Sequence, residues 1–264
     1  MSTSYLVMCA ILTVAAAARG TWSPCGLSMV SAINPMSERG RGCRYWLTTC
    51  WFIAGSVLGG ALLGGVTAGL AWLARPLTGP AAALIATLGC LIVLAADLRV
   101  GGVSLPLHPR QVNERWLTQY RRWLYASGFG FQIGTGFATY IMTAATYLIA
   151  LLASVSGRPA FAFGIGLLFG LVRGSAVLLS SRCRNPDSLR ALHRRLSRLE
   201  PASLRAVVSV ELVSAGVLGS LAVGTAGALV AFGAALALVL AARPRPDLLG
   251  RPTPSTPVPQ QSGR

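Results

Sequence analysis

Lysine is absent from this 264-residue chain, and acids are scarce: seven Asp and Glu stand against 23 basic residues, all arginine. Charged residues make up only 11% of the sequence, against about 25% in soluble globular domains. That shortfall excludes an ordinary soluble domain, and the absence of lysine fits an arginine-favouring, GC-rich bacterial genome. Histidine occurs twice, as His108 and His193, both in polar stretches, which leaves no plausible Ser-His-Asp set. Neither H-E-x-x-H nor G-x-x-x-x-G-K-S/T is present, and the many glycines lack the strand-turn-helix context of a dinucleotide site. Zinc hydrolases, P-loop enzymes and nicotinamide enzymes are therefore excluded. The six cysteines, Cys9, Cys25, Cys43, Cys50, Cys90 and Cys183, form no C-x-x-C pair and none has zinc-like spacing to a histidine. No metal site and no cofactor is indicated.

What remains is apolar. Hydrophobic residues make up 53% of the chain and its mean hydropathy is +0.61. Several apolar runs reach roughly twenty residues, the length that crosses a hydrocarbon core about 30 Å thick. The spacing predicts an all-α, polytopic membrane protein of six transmembrane helices, occupying residues 1–242, with a disordered, Pro-rich tail over 243–264.

The first run, Tyr5 to Ala18, is short for a span and resumes after Arg19. Ala16-Ala17-Ala18 resembles a signal-peptide cleavage site, but no positive charge precedes Tyr5. One interrupted span over about 4–34 accounts for both halves. A second span, about 46–74, carries overlapping G-x-x-x-G spacings at Gly55, Gly59, Gly60 and Gly64, which allow close helix approach in lipid. A third, about 77–98, closes on Asp97 and Arg99. An amphipathic helix over 109–123, with Trp116, Tyr120 and Trp123, is expected at the interface. The fourth span, about 124–154, is interrupted by a small-polar cluster, Gly128 to Tyr140, and the fifth covers about 160–181. Asn185-Pro186-Asp187-Ser188 reads as a helix start. The last run, 206–242, exceeds one straight span and is expected to be tilted, kinked or partly interfacial.

Arginines concentrate after spans one, three and five, which by the positive-inside rule places those connectors in the cytoplasm and both termini outside a cell (plasma) membrane. Arg243, Arg245, Arg251 and Arg264 in the tail conflict mildly with that orientation. Because the arginines fall between apolar runs instead of on one soluble face, they indicate lipid headgroups as the partner and not nucleic acid. The oligomeric state is left open.

Spans one to three (1–100) and four to six (118–242) read as two inverted three-helix repeats with broken helices one and four. Broken helices at membrane depth survive only where protein or a wet cavity satisfies the freed backbone.

The stretch Ser23-Pro24-Cys25, with Gly26, Leu27 and the later Pro35, resembles the first helix of the cytochrome c biogenesis transmembrane (CcdA/DsbD-type) family. The resemblance implies six spans in inverted triplets and a conduit for reducing equivalents to extracytoplasmic thiols, in exchange with a thioredoxin-like protein. Any enzymatic activity would then be that of a thiol-disulfide oxidoreductase, with Cys25 as its reactive residue. The chain departs from the family at two places. Ser28 stands where a second proline is usual, and the fourth-span break, Gln132, Gly134, Thr135 and Gly136 included, holds no second redox cysteine. Cys25 would then act as a lone thiol, or Cys9, Cys50 or Cys90 would replace the missing partner.

An alternative reading uses the two breaks as a midplane binding site of a small-solute or anion transporter, lined by Ser28, Ser31, Asn34, Gln132, Thr135 and Thr139. Arg173, mid-span in the fifth helix, and Glu211, early in the sixth, are intramembrane charges, and such residues are functional candidates by default. Arg19 flanks the first break, and Glu211 is a possible counter-charge for Arg173.

Overall fold

The computed structural model describes residues 3–77, 79–100, 119–137 and 141–242. The tail 243–264, His108, Thr139 and most of the interfacial helix expected over 109–123 lie outside them. Regular structure among the described residues is helical throughout: α1 (Thr3–Arg19), α2 (Pro24–Ala32), α3 (Pro35–Gly40), α4 (Tyr45–Leu73), α5 (Pro80–Asp97), α6 (Arg122–Gly134), α7 (Ala145–Val155), α8 (Pro159–Ser175), α9 (Pro186–Val223) and α10 (Thr225–Ala241). Short 3-10 turns cover Gly20–Trp22, Arg75–Leu77 and Ala176–Ser180.

Among the described residues, five helical segments are long and apolar enough to cross a membrane: Thr3–Trp22, Tyr45–Leu73, Pro80–Asp97, Pro159–Ser180 and Pro186–Val223. Helices α7 and α10 are apolar but shorter. The chain is therefore a multi-pass, all-helical membrane protein.

Proline starts five of these helices, and in three of them a capping side chain precedes it. Asn34 caps α3 and Asn185 caps α9, each accepting a 2.9 Å bond from the backbone three residues on, with Pro35 and Pro186 at the first helical position. Proline loses nothing there, because the first N–H groups of a helix have no internal partner. At Asn185 the reciprocal bond, from its own N–H to the Ser188 hydroxyl at 3.3 Å, completes a capping box.

Helix α4 is the axis of the bundle. One of its faces meets α6 running parallel to it, Gly55 against Ser127 and Gly59 against Phe131. Another meets α8 running antiparallel, Gly60 against Gly166 and Gly170, and Gly64 against Phe163. Ser56 lies between them and donates a 2.7 Å bond to the Gly170 carbonyl. The G-x-x-x-G spacings thus serve packing within one chain. Around this axis Tyr5, Leu12, Leu148, Leu152 and Phe169 form an apolar core.

The final run, expected to be tilted, kinked or partly interfacial, forms two helices. It divides at Gly224, whose φ of +74° is open to glycine but strained for other residues. Helix α10 then folds back along α9, with Gly227 and Ala231 against Gly219 and Phe232 against Gly216. The fourth run is likewise divided: α6 ends at Gly134 and α7 restarts at Ala145.

Candidate functional site

The first break is built by its own side chains. Between α1 and α2 the chain makes a 3-10 turn, and Ser23 caps α2 by accepting a 3.0 Å bond from Gly26 N–H while donating one of 2.7 Å to the Gly20 carbonyl. Pro24 occupies the first helical position. A methyl on Gly26 would fall 2.5 Å from the Thr21 carbonyl oxygen, so only glycine fits under the turn. Ser23, Pro24 and Gly26 therefore have a complete structural account as a helix start, and Pro35 plays the equivalent part in α3.

Cys25, in the first turn of α2, is 2% exposed, and all six cysteines are thiols. Its charged neighbour is Arg173. Cys9 is buried beside Tyr5, Cys90 donates to the Glu211 carbonyl at 3.3 Å, and Cys50 is exposed.

Arg173 connects the two breaks. It is 6% exposed, in the last turn of α8. Its Nε donates a 3.1 Å bond to the Ile133 carbonyl at the end of α6, and its guanidinium carbon lies 5.9 Å from the centre of the Phe169 ring. Gly20 leaves the space the guanidinium fills, since a methyl there would sit 1.2 Å from Nη1. The second break closes below it: Thr135 donates to the Gln132 carbonyl at 2.8 Å, and Gly136, at φ +74°, packs against the Phe169 ring. Gly134 and Gly136 are buried, Gln132 and Thr135 partly so. An uncompensated arginine at bilayer depth costs about 3 kcal/mol on insertion scales. Ring, carbonyl and thiol offset part of that here.

Pairing of Arg173 with Glu211 is not what the fold provides. The ion pairs among the described residues are Arg41–Glu38 and Arg190–Asp187. Glu211, 0% exposed, faces Asp97 instead. Asp97 at the end of α5 accepts from the Thr143 hydroxyl and, at 2.6 Å, from Ala144 N–H, so it caps α7 where the second broken span restarts. Sequence alone marks Asp97 only as the end of a span. Of the side chains expected to line a path between the breaks, Ser31 bonds His193 at 3.0 Å and Asn34 caps α3. Among the described residues no three His, Cys, Asp or Glu side chains gather as a metal site.

Fold and site together define a multi-pass helical membrane protein with two interrupted spans and charges held inside the bundle. Over 169 residues the chain is 33% identical to methylamine utilization protein MauF of Paracoccus denitrificans, a match covering 62% of this chain and 61% of that protein. The MauF proteins of Paracoccus versutus and Methylophilus methylotrophus are 31% and 27% identical over 171 and 157 residues, covering 62% and 58% of this chain. The chain thus spans about three fifths of the length of the curated relatives it matches. No family model and no solved structure matches it.

These relatives correct the resemblance drawn from Ser23-Pro24-Cys25. They carry a methylamine-utilization name, not that of the cytochrome c biogenesis family, and with that the thiol-disulfide conduit is set aside. The names lend no support to the transporter reading either. Physically, the motif misleads because serine, proline and a small residue at a break also make a good helix N-terminus.

Proposed function

We propose that this chain is an integral membrane component of methylamine utilization, and that its role depends on Arg173 where the two broken spans meet. The similarity to three MauF proteins, over more than half of the chain in each case, carries this reading. The burial of Arg173 against both breaks supports the choice of site, because a charge kept at that depth is costly unless it is used.

The arrangement of the last two helices bears on orientation. Three connectors are rich in arginine, and α10 returns the chain from Gly224 toward the end of the bundle where α9 begins. The N-terminus is then extracytoplasmic, while α10 ends on the cytoplasmic side, unlike the two extracytoplasmic termini expected from the arginine count. The membrane in question is the bacterial plasma membrane, and the exposed apolar residues of α4 and α10, Leu62 and Leu229 among them, face lipid.

Expression of the chain in a Paracoccus denitrificans strain lacking its own MauF is expected to restore growth on methylamine. Absence of growth, with the protein present in the membrane fraction, would refute the assignment. In the same strain Arg173→Met is expected to abolish growth while leaving the protein in the membrane at wild-type level. Arg173→Lys should rescue poorly, since an ammonium cannot reproduce the Nε bond to Ile133 and the ring contact together. Growth of the Arg173→Met strain at the wild-type rate would remove Arg173 from the site.

A further inference from the structure

A second buried charge cluster lies apart from Arg173. Glu211 projects from α9 with both carboxyl oxygens buried and no hydrogen-bond donor on either among the described residues. The group it faces is another acid, Asp97. Asp97 is supplied with donors, Thr143 and Ala144 N–H, and is partly exposed. Arg19, 5% exposed, faces the charges of Glu200 and Asp97; it spends Nη1 on the Glu200 carbonyl at 2.9 Å and on Ser203 at 2.5 Å, and among the described residues its Nε has no partner.

The two carboxyls differ in what they are given. A carboxylate requires donors, and Asp97 has them together with the positive end of α7 and the Arg19 charge. Glu211 has none, and an ionised carboxylate buried without donors is among the costliest groups a protein can hold. Two facing carboxyls can form a hydrogen bond only if one carries a proton. Charge balance leads in the same direction: the single Arg19 charge is shared between Glu200 and Asp97, so an ionised Glu211 would add a further uncompensated negative charge.

We propose that Glu211 and Asp97 form an intramembrane proton-binding site, in which the neutral Glu211 acid donates its proton to the Asp97 carboxylate. Release passes the proton from Glu211 to Asp97 and from there to water, which the partial exposure of Asp97 allows; uptake is the reverse, and no other species is consumed. The groups facing the pair are few. Helix α5 contributes Cys90, whose thiol is engaged with the Glu211 backbone carbonyl, α1 contributes Arg19, and α7 its N-terminus. Helix α10, packed along α9, carries no titratable side chain. This proposal does not rest on the role in methylamine utilization.

Infrared spectroscopy of the purified full chain in lipid nanodiscs tests it directly. At neutral pH the wild-type protein is expected to show a protonated-carboxyl C=O band that shifts in D2O. Glu211→Gln should delete that band and leave the unfolding temperature close to wild type, since glutamine reproduces a neutral donor of the same shape. Arg19→Gln should extend the band to higher pH, because removing a nearby positive charge favours the protonated form. A wild-type protein without the band, or a band that persists in Glu211→Gln, would overturn the proposal. A Glu211→Gln protein that loses its fold while Glu211→Asp keeps both fold and carboxylate absorption would overturn it as well.

Discussion

Gly60→Ala is expected to leave little folded protein, whereas Gly65→Ala, five residues along the same helix, should unfold at or slightly above the wild-type temperature. A methyl on Gly60 would fall 2.3 Å from the Gly166 carbonyl oxygen and 2.9 Å from the Gly170 backbone, with no flexible side chain to give way. The contact is reciprocal: methyls on Gly166 and Gly170 would meet the Gly60 and Ser56 carbonyl oxygens at 2.4 and 2.3 Å. Overpacking of a side-chain core costs about 1–3 kcal/mol, and a clash between two backbones sits at or beyond the top of that range. Gly65 has nothing within 4 Å. Alanine there gains helix propensity of roughly 0.5–1 kcal/mol. Thermal unfolding of the detergent-solubilised variants separates the two outcomes. Equal unfolding temperatures for Gly60→Ala and wild type would mean that α4 and α8 do not cross as described.

Glu38→Ala comes second in expected size. Glu38 is fully buried in the short helix α3 and is the acceptor for three separate elements. Arg41 Nη1 and the Thr48 hydroxyl each donate to it at 2.5 Å, and the Tyr125 hydroxyl donates to both oxygens at 3.1 Å. It therefore ties α3 to the start of α4 and to α6. Removing the acceptor strands Thr48 and Tyr125 in the interior and a partly buried Arg41 beside them. Breaking a buried pair in this way costs roughly 3–5 kcal/mol. Glu38→Gln is not expected to rescue, because its amide would place a donor among three donors. Tyr125→Phe should cost about 1 kcal/mol, the usual worth of one hydrogen bond. The same unfolding measurement ranks them, and a Glu38→Ala protein as stable as Tyr125→Phe would disprove the shared-acceptor arrangement.

Much of the bundle could be read in advance because a membrane imposes long apolar runs and punctuates them with Pro, Gly and Arg. The runs around α4 and α5, the helix start at Asn185-Pro186 and the interruption after Arg19 all follow from such local signals. Two features did not follow. The turn at Gly224 lies in Leu-Ala-Val-Gly-Thr-Ala-Gly, where glycine is as common as in any membrane helix and neither a proline nor a charged residue marks the reversal. The neighbour of Glu211 was equally hidden: Arg173 is the attractive partner by charge, but the packing of α5 against α9 supplies Asp97 instead. Gly60 and Gly65 illustrate the same limit, since spacing identifies a small-residue stripe without saying which members are covered. At the candidate site, Arg173 stood out as an intramembrane charge, while Gly20, which makes room for it, gave no signal of its own.

Helix α4 also sets an order of events during synthesis. Its bare glycine faces are covered by α6 and α8, which begin only at Arg122 and Pro159. When α4 first enters the bilayer neither partner has left the ribosome, so lipid must occupy those grooves and later be displaced. A chain halted before Arg122 would hold a complete, apolar α4 with both grooves open, and membrane quality control would meet that species each time translation stalls.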